Sequence, residues 1–310
     1  MRLLLTGGAG FCGRYIARAA IARGDDVILY DLHEPAGIAP ESFTFVRGDL
    51  GDVDELLALL EKHQPNTILH LAAVVGVPAS LELPIESTRV NIESTMRLLE
   101  ASARFGRARV IHLSSEETYG DFESTFINED HAQRPATAYG ISKLAAEGFC
   151  RSYRAYRGVD VVNVRTSWVY GAGLPRMRPP GSLLEPAARG EAVHYPFGAD
   201  FIADYTSVYD VADGMLNFAD APSLTQLSYN LSSGEATVSR DLIEVIKRLV
   251  PGADISMGAG PWHFAAGCPA PRKGALDNAR AFAETGYRPK FDLTRGLERY
   301  LSDLRSAAIF

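Results

Sequence analysis

The chain has 310 residues, of which 46% are hydrophobic and 22% are charged, so it can bury one large core or two smaller ones. A formal net charge of −7 argues against a nucleic-acid surface, which needs a clustered excess of basic residues. No apolar run approaches the roughly 20 residues that span a bilayer. Cys12, Cys150 and Cys268 are far apart and odd in number, which favours neither a disulfide framework nor a zinc site. We therefore expect a cytoplasmic protein without a metal, a nucleic-acid partner or a membrane partner.

The first half of the chain alternates short apolar runs with longer amphipathic stretches. The apolar runs predict strands at Leu3–Leu5, Val27–Tyr30, Phe43–Val46, Thr67–Leu71, Val110–Leu113 and Val161–Val164. The amphipathic stretches predict helices at Phe11–Arg23, Asp54–His63, Pro84–Phe105 and Ala138–Tyr156. This alternation is typical of right-handed βαβ units, so we predict an α/β fold with a Rossmann-type, doubly wound parallel sheet.

The pattern becomes irregular after Tyr170, where clusters of glycine and proline predict loops. Helices resume at Val208–Asp220, Ser239–Leu249 and Leu293–Arg305. We expect residues 1–170 to form the sheet domain. Residues 171–310 would then form mainly a smaller C-terminal lobe over the carboxyl edge of the sheet, with some segments returning to the core. That edge is where an open α/β fold binds its ligands.

A glycine-rich loop follows the first predicted strand and opens the first predicted helix. Gly7 permits a tight turn, Gly10 lets the backbone approach a pyrophosphate, and Gly13 lets helix and strand pack closely. Asp31 ends the second strand, where its carboxylate would accept hydrogen bonds from both ribose hydroxyls and repel a 2′-phosphate. The context predicts a dinucleotide site that prefers NAD to NADP.

A tyrosine and a lysine four residues apart, Tyr139 and Lys143, share one face of a predicted helix. A free tyrosine has a pKa of about 10, and a neighbouring ammonium group and the positive nicotinamide ring would lower it. Tyr139 would then take a proton from a sugar hydroxyl as hydride leaves for NAD⁺. Lys143 would also hold the nicotinamide ribose.

These motifs together resemble the extended short-chain dehydrogenase/reductases, in their sugar epimerase/dehydratase branch. The resemblance covers nearly the whole chain and implies that Ser115 hydrogen-bonds the reacting oxygen, that Asp49 contacts the adenine amino group and that Asn91 orders the active-site backbone. The residues assigned to the cofactor are Gly7, Gly10, Phe11, Cys12, Gly13, Asp31, Asp49, Leu50, Leu71, Ala72, Ala73, Asn91, Ser114, Tyr139 and Lys143. His70 is interpreted as a packed strand residue and Cys12 as a small apolar filler.

Glu116 and Glu117 follow Ser115, where simple 4-epimerases of the family usually have small or neutral residues. The resemblance to 4,6-dehydratases implies that Glu117 removes a carbon-bound proton once the neighbouring carbon is a ketone. Glu116 would give a proton to the departing hydroxyl if burial raises its pKa. The alternative is that one or both glutamates point into solvent or cap the loop.

Two expected groups that hold a substrate diphosphate in this branch are missing. Trp168 replaces an asparagine and Ala203 replaces an arginine. Either Arg176, Arg178, Arg272 and Lys273 form a replacement anion clamp, or the substrate has no nucleotide and Trp168 closes that space. We assign Trp168, Arg176, Arg178 and Arg272 to the substrate.

The leading hypothesis is an NAD-dependent epimerase/dehydratase that oxidises a nucleotide-linked sugar transiently and returns the hydride. Between these two steps the ketone is epimerised, dehydrated or decarboxylated, and the glutamates favour elimination or decarboxylation. The second is a net dehydrogenase of a free sugar, uronate or aldonate, and the third is a non-catalytic NAD-sensing protein. By the resemblance we also expect a homodimer built from the helices Pro84–Phe105 and Ala138–Tyr156.

Overall fold

The computed structural model describes residues 1–265 and 267–306. Its helices are α1 Phe11–Ala22, α2 Val53–His63, α3 Val77–Glu82, α4 Pro84–Thr88, α5 Ser94–Phe105, α6 Ala138–Arg157, α7 Gly181–Ala188, α8 Val208–Asp220, α9 Ser239–Leu249, α10 Ala279–Thr285 and α11 Leu293–Arg305. Its strands are β1 Arg2–Thr6, β2 Asp26–Asp31, β3 Thr44–Arg47, β4 Thr67–His70, β5 Arg109–Ser115, β6 Phe126–Ile127, β7 Val161–Thr166, β8 Trp168–Tyr170, β9 Val193–Tyr195, β10 Ile202–Ala203, β11 Tyr205–Ser207, β12 Ser228–Leu231, β13 Thr237–Val238, β14 Ile255–Met257, β15 His263–Ala265, β16 Cys268–Pro269 and β17 Ala275–Leu276.

A seven-stranded parallel sheet in the order β12-β7-β5-β4-β1-β2-β3 forms the centre of the fold. Its inner strands are apolar on both faces because helices cover both sides, and Leu3, Leu4 and Leu5 of β1 are fully buried. The strands β2 and β3 follow β1 on one side of the sheet, and β5, β7 and β12 follow β4 on the other. The strand order therefore reverses between β1 and β4. This order leaves a crevice at the carboxyl ends of those strands. The predicted doubly wound sheet is confirmed, and every predicted strand overlaps an observed one.

The helix predicted at Pro84–Phe105 runs through the observed α4 and α5, with a π-helical turn at Arg89–Glu93 between them. The sequence analysis did not predict α3, α7 or α10, which are short, nor the edge strand β12. Pro186 lies inside α7 and obscures its helical pattern. No helix within the described residues is long and apolar enough to cross a membrane.

The C-terminal part of the chain contributes to two cores. One core is a separate aromatic-rich cluster with Trp168, Tyr170 and Phe201, packed under α7, α9 and α11. The segments α8, β12 and α10 return to the main sheet, where β12 pairs with β7 and α8 packs against α1. The small lobe is therefore tied to the sheet by strands and helices that lie far along the chain.

Candidate functional site

A cavity of about 540 Å³ opens at the carboxyl edge of the sheet. Its walls come from the glycine loop, the ends of the central strands, α6 and the loop that enters the small lobe. The cavity brings together these predicted site residues: Gly7, Gly10, Phe11, Cys12, Gly13, Asp31, Asp49, Leu50, Leu71, Ala72, Ala73, Ser114, Ser115, Glu116, Glu117, Tyr139, Lys143, Trp168, Arg176 and Arg178. Asn91 and Arg272 do not line it.

The glycine loop has the geometry of a phosphate cradle. Gly7 has φ +70°, a left-handed conformation that residues with a Cβ atom disfavour. A Cβ on Gly13 would lie 2.5 Å from the Gly7 carbonyl oxygen, so only glycine lets α1 approach the loop. Gly10 caps α1 without a side-chain hydrogen bond, and no acidic residue lies in the first turn. The first N–H groups of α1 and its positive dipole end are thus available to an anion.

Asp31 ties the end of β2 to this loop. One carboxylate oxygen accepts the Ala9 N–H at 2.9 Å, and the other accepts the His33 N–H at 3.2 Å. The carboxylate keeps further lone pairs that can accept hydroxyl groups. Asp49, at the far end of the cavity, has a half-exposed side chain 3.7 Å from the Arg89 guanidinium.

Asn91 acts from behind the cavity wall. Its amide accepts the Val74 N–H at 2.8 Å and donates to the Val74 carbonyl at 3.0 Å and to Ser142 Oγ at 2.9 Å. Since Val74 lines the cavity, Asn91 fixes the backbone beside Leu71–Ala73 without touching the ligand space itself. His70 lies between the hydroxyls of Thr6 and Thr95, at 2.7 and 2.9 Å, which is the geometry of a packed strand residue.

Ser115 and Tyr139 meet where β5 and α6 approach each other. Thr137 caps α6 by accepting the Gly140 N–H at 3.1 Å, which places Tyr139 in the first helical turn. Burial raises the pKa of Tyr139 to about 12. The positive charges of Arg176 and Arg178 and a hydrogen bond with Ser115 lower this pKa, but by less than burial raises it. The phenol is therefore held protonated at neutral pH.

Lys143 is anchored from behind by a histidine that the motif analysis missed. Its ammonium donates to the Leu113 carbonyl at 2.9 Å and lies 3.4 Å from His112 Nε2. His112 Nδ1 is 3.0 Å from Asn163 Oδ1, an acceptor, so Nδ1 carries the proton and Nε2 accepts from Lys143. Burial lowers the pKa of Lys143 to about 8 and that of His112 to about 3.

A buried ion pair lies beneath this site. Arg165 on β7 donates to both carboxylate oxygens of Glu147 on α6, at 2.9 and 2.6 Å, and Ser114 also donates to Glu147 at 2.6 Å. Arg165 further donates to the Tyr119 hydroxyl at 2.8 Å. The sequence signal was the arginine itself, because a charge in a strand buried on both faces needs a partner.

Glu116 and Glu117 are both buried, so neither points into solvent. Neither carboxylate oxygen of Glu116 has a hydrogen-bond partner among the described residues, although both glutamates line the cavity. Burial raises the pKa of Glu116 to about 8. Glu117 Oε1 lies 3.2 Å from the ammonium of Lys273, while its Oε2 has no partner in the described chain.

The substrate end of the cavity contains Trp168, Arg176 and Arg178. The Arg178 guanidinium stacks 4.7 Å from the Trp168 ring centre and donates to the Val169 carbonyl at 3.1 Å. Arg176 donates to the Val75 carbonyl. The Nε groups of both arginines are buried without a partner in the described structure, so each keeps a donor for an anion. Burial and the neighbouring Arg176 lower the pKa of Arg178 to about 10.

Arg272 is not brought into this group. It is exposed, and its backbone N–H donates to the Asp121 carboxylate at 2.7 Å. Arg272 therefore points outward, whereas its neighbour Lys273 is buried.

Comparisons with known proteins agree with this geometry. The model of the NAD dependent epimerase/dehydratase family matches residues 3–232. The chain is 30% identical over 323 residues to UDP-glucose 4-epimerase of Mycolicibacterium smegmatis, with 99% of both chains covered. The structure of UDP-glucose 4-epimerase from Thermotoga maritima with UDP-glucose has a TM-score of 0.86 at 27% identity, covering 98% of this chain and 99% of that one. DesIV, a dTDP-glucose 4,6-dehydratase from Streptomyces venezuelae solved with NAD bound, has a TM-score of 0.84 at 25% identity, covering 99% and 98%.

Proposed function

This chain belongs to the NAD dependent epimerase/dehydratase family, and we propose that it transforms a nucleotide-linked sugar by transient oxidation of one ring carbon. The match confirms the resemblance drawn from the motifs and, with it, the expectation of an NAD-dependent enzyme. The observation that carries the proposal is one cavity shared by the glycine loop, Asp31, Ser115, Tyr139 and Lys143. A dinucleotide site and a proton-transfer group in one cavity are what a hydride transfer from a sugar alcohol requires.

The residues present fit NAD. The uncapped start of α1 and the cradle that a Cβ on Gly13 would fill suit the pyrophosphate, and Asp31 suits a ribose with free hydroxyls. Lys143 keeps one of its three N–H donors for the nicotinamide ribose, because the other two face Leu113 and His112. When bound, the nicotinamide accepts a hydride from the sugar and can return it.

Tyr139 would remove the hydroxyl proton of the substrate, and Ser115 would hold the same oxygen in line. Arg176 and Arg178 already lower the pKa of this phenol, and the positive nicotinamide ring of bound NAD⁺ acts in the same direction. Bound NAD⁺ would therefore favour proton removal by Tyr139.

Arg176 and Arg178 would bind the anionic part of the substrate. Their unpartnered Nε groups supply donors that the absent asparagine and arginine of the family pattern would otherwise provide. The relatives act on or bind UDP- and dTDP-sugars, according to their names. A diphosphate held by Arg176 and Arg178 is consistent with those relatives and with Trp168 occupying the asparagine position.

Glu116 and Glu117 favour elimination over simple epimerisation as the step that follows oxidation. An epimerase that returns hydride to the same carbon needs no acid–base groups beyond the tyrosine. Elimination needs a base for the carbon-bound proton and an acid for the departing hydroxyl. Two buried carboxyl groups with different surroundings, on the wall of the same cavity, meet that need.

The test mixes the purified enzyme and NAD⁺ with two panels, the first of UDP-, GDP- and dTDP-sugars and the second of free uronates and aldonates. We expect a nucleotide sugar to be converted without net NADH, and a product lighter by one water to identify elimination. A product of unchanged mass would mean epimerisation. Stoichiometric NADH from a free sugar acid would contradict the proposal and make the protein a net dehydrogenase.

We further propose that the protein is a cytoplasmic homodimer. Ile85 on α4 and Ile141 on α6 are exposed, as are Leu81 and Leu83 beside them. A two-fold pairing of these helices would bury that apolar surface. The three cysteines are free, which suits a reducing compartment.

A further inference from the structure

Lys273 is a buried lysine that the hydride-transfer residues do not require. It lies between β16 and β17 in the C-terminal part of the chain, and its side chain has no exposed surface. Its ammonium lies 3.2 Å from Glu117 Oε1, donates to the Gly120 carbonyl at 3.3 Å and sits 5.2 Å from the ring centre of Phe122. A buried ammonium held at three points is fixed relative to the turn that carries the two glutamates.

The Lys273 ammonium interacts differently with the two glutamates. Lys273 forms an ion pair with Glu117, whereas neither oxygen of Glu116 has a partner in the described residues. Two adjacent buried carboxyl groups resist carrying two charges, because like charges repel strongly where water is excluded. The single positive charge of Lys273 compensates the negative charge of one carboxylate.

The other charged groups around the pair do not reverse this preference. The positive charges of Lys273 and Arg178 favour ionisation of Glu116. The negative charges of Glu117 and Asp204 oppose it, and so does burial. Burial has the largest effect and raises the pKa of Glu116 to about 8. Glu117 also faces Arg178 and Tyr139, whose phenol is neutral before proton transfer.

We propose that Lys273 is a positioning residue that holds the Glu117 carboxylate in an ion pair and leaves the single proton of the two glutamates on Glu116. Its catalytic use rests on the proposed function: the cavity wall then presents a ready proton acceptor beside a ready proton donor. The small lobe supplies this lysine, so the chain downstream of β12 sets the protonation of groups at the end of β5.

The test is a pH titration of the NAD-bound enzyme without substrate, which does not depend on any turnover. Infrared difference spectra of protein with isotope-labelled glutamate report each protonated carboxyl group. We expect one glutamate to stay protonated at neutral pH, and this signal to vanish in Glu116→Gln. Persistence of this signal in Glu116→Gln would overturn the proposal.

Two substitutions then isolate the lysine. Lys273→Met removes the compensating charge, so a second protonated glutamate signal should appear at neutral pH, whereas Lys273→Arg should retain the wild-type signal. An unchanged spectrum in Lys273→Met would refute the role. Because Lys273→Met can impair folding, Glu117→Gln provides an independent test: Lys273 then faces Glu116 alone, and the titration of Glu116 should move to lower pH. A Glu116 titration that does not move would also refute the role.

A kinetic measurement separates this inference from the proposed function. If a nucleotide sugar is converted with loss of water, Glu116→Gln should lower kcat by about 10²-fold with little change in KM, since the lost group moves a proton and does not bind the substrate. Lys273→Met should move the pH profile of kcat, and Lys273→Arg should restore it. If no nucleotide sugar is converted, the proposed function fails while the titration still tests the lysine.

Discussion

Tyr139 is a residue whose surroundings oppose its own task. Burial raises its pKa to about 12, whereas a base must be able to lose its proton near neutral pH. Tyr139→Phe removes only the hydroxyl, so we expect kcat to fall by about 10²- to 10⁴-fold while NAD binding changes little. Turnover and a fluorescence titration with NAD measure the two effects separately.

The wild-type pH profile adds a second check. A raised pKa makes the phenolate scarce at low pH, so the oxidation rate should rise as the pH increases towards the pKa of Tyr139 in the NAD⁺ complex. The residual rate of Tyr139→Phe should lack this dependence. A variant that keeps both its rate and its pH profile would show that Tyr139 is not the base.

Arg165 and Glu147 illustrate how much a site depends on residues outside it. Replacing Arg165 by Met leaves a fully buried carboxylate with Ser114 and Gln133 as its remaining donors. We expect a loss of about 3–5 kcal/mol in the free energy of unfolding, measured by urea denaturation. The matched control is Arg97→Met, which breaks the exposed pair with Glu93 and should cost at most about 1 kcal/mol. Equal losses in the two variants would contradict this account.

The sequence could identify the residues that belong to motifs, because their chemistry depends on spacing within one element. Tyr139 and Lys143 lie on one helix, and the glycine loop is continuous. The sequence could not identify His112 as the partner of Lys143, or Lys273 as the partner of Glu117, because each contact joins segments far apart in the chain. Arg272 was expected in the substrate clamp because its charge was visible, while the direction of its side chain was not.

At the scale of elements, the packing of α1 on the glycine loop is the most sensitive contact. A Cβ on Gly13 would meet the Gly7 and Gly8 carbonyl oxygens at 2.5 and 2.6 Å, and these are backbone atoms that cannot rotate away. Gly13→Ala should therefore weaken NAD binding by about tenfold or more, because a displacement of the helix by a fraction of an ångström removes phosphate contacts. Calorimetric titration with NAD measures the change.

Gly148→Ala is the matched control for that prediction. Gly148 lies in α6, where an added Cβ would meet no atom within 4 Å. Alanine favours a helix over glycine by about 1 kcal/mol, so this variant should bind NAD normally and unfold at a slightly higher temperature. A normal NAD affinity in Gly13→Ala would mean that the loop tolerates the added methyl group.

Periodicity predicted the elements that are long and regular, and it failed where an element is short or interrupted. The stretch from Pro84 to Phe105 has one helical pattern, so the π-helical turn that carries Asn91 was not visible in it. The strand β12 contains a buried polar residue, Asn230, and spans only Ser228–Leu231, so its sequence lacks the apolar run expected of a parallel strand. Its place in the sheet depends on pairing with β7.

At the scale of the molecule, the two cores are joined by chain segments that alternate between them. The strand β8 enters the small lobe immediately after β7, and α8 and β12 return to the sheet before α9 leaves it again. Arg178 also reaches from this part of the chain into the cavity of the sheet domain, and Lys273 pairs with Glu117 on the cavity wall. Removing either lobe would expose buried apolar surface on the other, which favours a single cooperative unit.

We therefore expect the protein to unfold in one transition. Its two tryptophans, Trp168 and Trp262, both belong to the core of the small lobe. The far-ultraviolet circular dichroism, in contrast, comes mostly from the helices of the sheet domain. Tryptophan fluorescence and circular dichroism should give the same denaturant midpoint, and NAD should raise both midpoints together because it binds only the folded unit. Trp262→Phe leaves Trp168 beside the cavity as the only reporter and should give the same agreement. A fluorescence midpoint well below that of circular dichroism would mean that the small lobe unfolds independently of the sheet.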